Sequence, residues 1–145
     1  MCIRDRCLAS IEVKEGKLVV EGKEINFVSE REPAQLPWGA MGVDIVLEAT
    51  GLFAGYDKSK AHLDAGAKRV VISAPVKDDP TATEGVTGAT VLMGVNDDSL
   101  SSANITSNAS CTTNATSPLI AILKEKIGIE KALLILSTPT PPASH

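Results

Sequence analysis

Two short, almost unbroken apolar runs, set apart by a helix-length polar stretch, constrain this chain more than any other feature. The first is Val43-Asp44-Ile45-Val46-Leu47-Glu48-Ala49-Thr50-Gly51, and the second is Lys68-Arg69-Val70-Val71-Ile72-Ser73-Ala74-Pro75. Apolar runs of this length that end in small residues are the pattern of strands buried on both faces. Between them, Asp57 can cap a helix running to about Ala65, and Gly66 fits its stop. Strand, helix and strand at this spacing make a βαβ unit, which implies a parallel sheet and an α/β fold.

The rest of the chain is arranged around that unit. Upstream, β-type runs at 11–13, 17–20 and 24–28, divided at Glu15-Gly16 and Gly22, predict an antiparallel meander. The segment 33–42 holds Pro33, Pro37, Gly39 and Gly42 and reads as a connection. Downstream, Thr90-Val91-Leu92-Met93-Gly94 predicts a further strand, and Ile105-Thr106-Ser107 a brief one. A helix then begins near Ser110 or Cys111. Ala115, Leu119, Ile122, Leu123 and Ile127 recur at helical spacing, with Lys124, Glu125 and Lys126 outside and Gly128 as the stop. Pro118 is expected to kink it. The first ten residues show no periodicity and are set aside as a junction unrelated to the fold.

Composition narrows the function classes. Hydrophobic residues make up 43% of the chain, enough for a core, and the net charge of -4 gives no basic footprint for nucleic acid. No apolar run reaches the roughly 18 residues of a membrane span. The cysteines, Cys2, Cys7 and Cys111, are odd in number and sparse, so they do not describe a disulfide framework. With no Cys-x-x-Cys pair and only His62 and His145 as histidines, no metal site is expected. A cytoplasmic protein is the expectation.

The stretch Ser107-Asn108-Ala109-Ser110-Cys111-Thr112-Thr113-Asn114 carries the chemistry. It sets a cysteine where a strand turns into a helix. Unpaired backbone N–H groups and the positive end of the helix dipole surround such a sulfur and favour the nucleophilic thiolate. The same N–H groups can donate to an oxyanion. A lone cysteine is also commonly a small buried hydrophobe, and the residues alone leave both readings open.

Ser107 to Asn114 resembles the active-site signature of the glyceraldehyde-3-phosphate dehydrogenases. The resemblance extends in family order through 11–18, 29–33, 42–46, 48–53, 65–68, 73–75 and 94–96, and covers about residues 11–134. It implies a partial Rossmann-type NAD-binding domain at 11–110, without its first βαβ, leading into the active-site helix of the catalytic domain at 111–134. Cys111 is then the nucleophile that attacks the aldehyde. Ser110 and Thr112 flank the substrate, and Arg31, Thr50, Gly51 and Ser73 lie near the cofactor. The resemblance implies NAD, with NADP left open, glyceraldehyde 3-phosphate and inorganic phosphate as substrates, and a homotetrameric parent. A related phosphorylating dehydrogenase using erythrose 4-phosphate, or a non-catalytic thiol protein, are the rival readings. His62 does not match the family's catalytic histidine and is read as structural or solvent-facing.

The chain departs from the family at both ends. No Gly-x-Gly-x-x-Gly fingerprint follows a first strand. After Ala132-Leu133-Leu134 the family continues Thr-Thr-Val-His-Ala-Tyr-Thr-Ala-Ser, where the histidine is the general base. Here the chain reads Ile135-Leu136-Ser137-Thr138-Pro139-Thr140-Pro141-Pro142-Ala143. A one-base deletion converts suitable codons for the first string into the second, so 135–145 is expected to be a frameshifted tail. His145, which ends it, is not taken as the base.

Overall fold

The computed structural model describes residues 11–14 and 17–135. The N-terminal ten residues, the Glu15-Gly16 turn and the tail from Leu136, with His145, lie outside the described residues.

The meander is present. Strands β1 (Ile11–Lys14), β2 (Lys17–Val20) and β3 (Lys23–Ile25) pair antiparallel in the order β1-β2-β3, with Ile11 opposite Val20 and Leu18 opposite Ile25. Glu21 and Gly22 both have positive φ, the backbone of a tight hairpin turn whose twist matches the strands. The third strand stops at Ile25, short of the expected 28, and Phe27 is exposed.

The βαβ unit is also present, inside a four-stranded parallel sheet. Its elements are β4 (Ile45–Glu48), helix α1 (Tyr56–Asp64), β5 (Arg69–Ile72), β6 (Gly88–Thr90), the short α2 (Ser99–Ser102) and β7 (Ile105–Ser107), with strand order β4-β5-β7-β6. Val46 lies beside Val70, and Val70 beside Ile105. Tyr56 of α1 closes over Val70, Ile72, Val86 and Ile105 to form the core. Each such aliphatic side chain removed from water stabilises the fold by roughly 1.5–3 kcal/mol.

One expectation needs correction. β4 is not buried on both faces: Val46 and Glu48 are buried, but Ile45 is 61% and Leu47 64% exposed. Successive side chains of a strand point to opposite faces. Helix α1 covers one of them. On the other, Val91 and Leu100 reach over Val71 and Thr106 and leave an open hollow of about 390 Å³, while Ile45 and Leu47 of β4 stand uncovered.

The ends of α1 follow local chemistry only in part. Gly66 takes φ +103 and returns its N–H to Leu63, as a helix stop should. A Cβ there would meet the Gly39 Cα at 2.6 Å, so the position also needs glycine for close approach. Asp57 does not cap the start. The N-cap is Gly55, and the Asp57 N–H donates instead to Asp78 Oδ2 at 3.1 Å. β6 begins and ends earlier than the 90–94 run suggests, because Asn96 captures the chain beyond it. The Asn96 amide donates to the Thr90 carbonyl, and its Oδ1 accepts the Leu92 N–H, both at 2.8 Å.

Helix α3 (Cys111–Lys126) begins where predicted, continues across Pro118 and stops before Gly128, whose φ is +84. Its apolar stripe is not buried. No residue of α3 is buried, and Leu119 and Ile122 are each 56% exposed. The helical period was correct, but no partner for that face stands among the described residues.

Candidate active site

Cys111 is the first residue of α3, exposed and unpaired in any disulfide. The strand-to-helix junction that presents it is tied down on every side. Ser107 ends β7 and donates through its hydroxyl to the Ala74 carbonyl at 2.8 Å, while accepting the Ala109 N–H at 3.1 Å. The Asn108 N–H reaches the Ile72 carbonyl at 2.9 Å. Ala109 takes φ +57, a left-handed turn unusual for a residue with a Cβ. Ser110 is the N-cap, and its Oγ accepts the Thr113 N–H at 3.1 Å. Asn114 reaches back, donating to the carbonyls of Asn108 at 2.6 Å and Ser110 at 2.9 Å. These bonds fix the direction in which the sulfur leaves the helix.

The two hydroxyls singled out beside Cys111 are engaged with each other. Ser110 Oγ lies 2.9 Å from Thr112 Oγ1 and 2.7 Å from Thr113 Oγ1. A capping hydroxyl serves one helical N–H and leaves the others of the first turn free to meet an anion.

A second feature lies at the carboxyl end of β4. Glu30, Arg31, Pro33, Leu36, Thr50 and Phe53 line a cavity of about 440 Å³. Arg31 and Thr50, selected from sequence, thus face one hollow. Gly51, with φ +76, has no atom within 4 Å of where a Cβ would stand, so its backbone is open to a ligand. Ser73 follows β5 and is exposed, and its N–H donates to the Glu48 carbonyl at 3.0 Å. Thr50-Gly51, Ser73 and Cys111 therefore all follow the carboxyl ends of parallel strands, where α/β sheets bind ligands. The order β4-β5-β7 separates the Thr50 and Cys111 loops by two strand spacings, about 10 Å.

Sequence reasoning missed two further residues that line this cavity, Glu48 and His62. Glu48 and His62 are each 4% exposed. His62 Nε2 lies 3.1 Å from Glu48 Oε2, and the Trp38 indole N–H donates to His62 Nδ1 at 3.1 Å. Glu48 Oε1 accepts both the Thr50 N–H, at 2.8 Å, and the Thr50 hydroxyl. Burial pushes the Glu48 carboxyl up, but the bonds from Thr50 and His62 outweigh it and leave the carboxyl below its usual range. His62 is therefore structural, as expected, but buried rather than facing solvent. The available signal was an acid at the end of an apolar strand run.

The comparisons with known proteins agree with this arrangement. Residues 3–56 match the family model described as the NAD-binding domain of glyceraldehyde 3-phosphate dehydrogenase, and NAD is the cofactor that goes with that domain. The chain is 44% identical over 130 residues to the cytosolic glyceraldehyde-3-phosphate dehydrogenase of Gracilaria gracilis, covering 89% of this chain and 36% of that protein. It is 46% identical over 125 residues to the enzyme of Clostridium pasteurianum, covering 86% of this chain and 35% of the relative. It is 44% identical over 134 residues to that of Streptomyces coelicolor, covering 91% and 38%. The chain thus spans about a third of the length of the curated relatives it matches. With such identity along most of its own length, and an α/β parallel sheet that presents Cys111 at a helix start, this chain belongs to the glyceraldehyde-3-phosphate dehydrogenase family.

Proposed function

We propose that this chain is the segment of an NAD-dependent, phosphorylating glyceraldehyde-3-phosphate dehydrogenase in which the later part of the cofactor domain, 11–110, meets the start of the catalytic domain at 111. The observation that carries the reading is the mounting of Cys111: exposed, first in its helix and held by bonds to β5. The sulfur of Cys111 adds to the aldehyde carbonyl of glyceraldehyde 3-phosphate, giving a thiohemiacetal. Free N–H groups of the first turn of α3 receive the charge that develops on oxygen. Bound NAD would supply the hydride acceptor; with that hydride and the hydroxyl proton gone, the proton to solvent, the adduct on Cys111 becomes a thioester. Inorganic phosphate then attacks the acyl carbon, Cys111 leaves as thiolate, and 1,3-bisphosphoglycerate is released.

The fit of the cofactor rests on the cavity beside Arg31. Its apolar wall, the open Gly51 backbone and the carboxylate of Glu30 suit a ring and sugar hydroxyls better than a phosphate. Arg31, Thr50, Gly51 and Ser73 would hold it, while Ser110 and Thr112 would flank the substrate. The whole enzyme works as a homotetramer in the cytoplasm, with no nucleic-acid or membrane partner.

His62, with both ring nitrogens already engaged, is not available to Cys111 as a base. A positioned base is worth ~10²–10⁴ in rate. The 145-residue chain by itself is therefore expected to give no steady NADH from aldehyde, NAD and phosphate. The nucleophile can be tested apart from turnover. Incubation with an acyl phosphate should acylate Cys111, seen by peptide mass spectrometry and lost in Cys111→Ser. Equal acylation of that variant would refute the assignment.

A further inference from the structure

We infer that Trp38, His62 and Glu48 form a positioning chain that sets the backbone of the Thr50-Gly51 loop, and so the shape of the cavity beside Arg31. The inference rests on the reading of that cavity as the cofactor side.

The chain has a fixed direction. An indole N–H can only donate, so His62 Nδ1, 3.1 Å away, must be the accepting nitrogen. The single ring proton of neutral His62 then sits on Nε2, which faces Glu48 Oε2 at 3.1 Å. The other Glu48 oxygen takes the Thr50 N–H and hydroxyl, and Thr50 Oγ1 in turn accepts the Leu52 N–H at 3.1 Å. A line of donors and acceptors thus runs from the turn at Trp38, through α1 and the end of β4, into the loop. Apolar side chains of similar volume would stabilise the interior as well as this buried pair does. What the polar chain adds is a specified geometry at its far end. Glu48 is named here as a positioning residue, because both of its oxygens are already engaged, one by Thr50 and the other by His62.

A second proton on the ring would occupy Nδ1 and confront the indole N–H, so the Trp38 bond would break. The charged groups around His62 are Glu48 on β4, with Glu30 and Arg31 on the wall of the same cavity. Trp38 and Phe53 contribute uncharged rings, with centroids 6.3 Å and 6.4 Å from that of His62.

The test uses the full 145-residue chain, labelled with ¹⁵N. Long-range ¹H–¹⁵N spectra should show the proton of neutral His62 on Nε2. The Thr50 amide shift should move in His62→Gln, while the Val70 and Thr106 amides of β5 and β7 stay still. Trp38→Phe should displace the Thr50 amide without moving those two. NAD affinity should fall roughly fivefold in His62→Phe, the scale of one lost hydrogen bond, and recover in His62→Gln, which keeps a donor for Glu48. A proton on Nδ1, or a Thr50 amide indifferent to Trp38→Phe and His62→Gln, overturns the proposal. Failure of the unmodified chain to bind NAD would sink the cofactor reading, and the Thr50 amide would still decide the positioning chain on its own.

Discussion

Replacing Ser110 with alanine removes the one side-chain cap on the helix that begins with Cys111. Its oxygen accepts the Thr113 N–H at 3.1 Å, and alanine leaves that donor without a protein partner. Loss of a serine N-cap costs ~1 kcal/mol, within about 0.5–2. In most proteins tertiary packing would mask part of this. Here no residue of α3 is buried, so local terms decide whether the first turn forms. One kcal/mol is a factor of about five in that local equilibrium. Amide hydrogen exchange at Thr113 and Asn114, read by NMR, should therefore speed up about fivefold in Ser110→Ala, with Cα shifts over 111–116 moving toward coil. Ser110→Asp, an equally good cap, should stay within about twofold of the parent. Unchanged exchange in the alanine variant would mean that something other than Ser110 holds the turn, and the account of how Cys111 is presented would fall with it.

Four further outcomes follow from the same geometry. Ile72→Ala, at a position with 0% exposure in the core, should lower the urea-unfolding free energy by ~2–5 kcal/mol. A loss under about 1 kcal/mol would contradict the core described here. Ile122→Glu on the exposed stripe of α3 should change stability by less than about 0.5 kcal/mol, and a large loss would reveal a buried partner for that face. Glu48, whose carboxyl is held below its ordinary 4.5, contributes stability that is present above that value and disappears as the pH falls through the lowered one. Glu48→Gln should flatten the acid limb of stability against pH, and an unaltered limb would refute the role given to Thr50 and His62. Cys111 should alkylate with iodoacetamide in the native chain without denaturant, and a requirement for urea would show that the sulfur is not exposed.

The parts of the fold that were legible in the sequence are those fixed by neighbours in the chain. The glycine after α1, the start of α3 and its stop at Gly128 depend on contacts within a few residues, and these, like the two apolar runs, lie where the pattern put them. What escaped were features settled by residues far apart. Asp78 rather than Asp57 meets the N–H at the start of α1 from 21 residues away. Asn96, six residues past Thr90, ends β6. Periodicity reported the apolar face of α3 and the second face of β4 correctly as apolar, but it cannot report whether anything covers them. Near the candidate site, the local motif at Cys111 was readable, and Arg31 and Thr50, each set near the cofactor by resemblance, line one cavity. The Trp38–His62–Glu48 line was not, because it joins three segments that only the folded sheet brings together.

The left-handed Ala109 and the bonds around it bear on how the sulfur behaves as a mechanical part. Because Ser107 is pinned to Ala74, and Asn114 grips the two carbonyls before the helix, Cys111 sits on a bracket bolted to the sheet and not on a swinging arm. Its aim is thus inherited from the β5–β7 register. A change at Ala74, well away in sequence from the cysteine, would be felt at the nucleophile before one at the free end of α3.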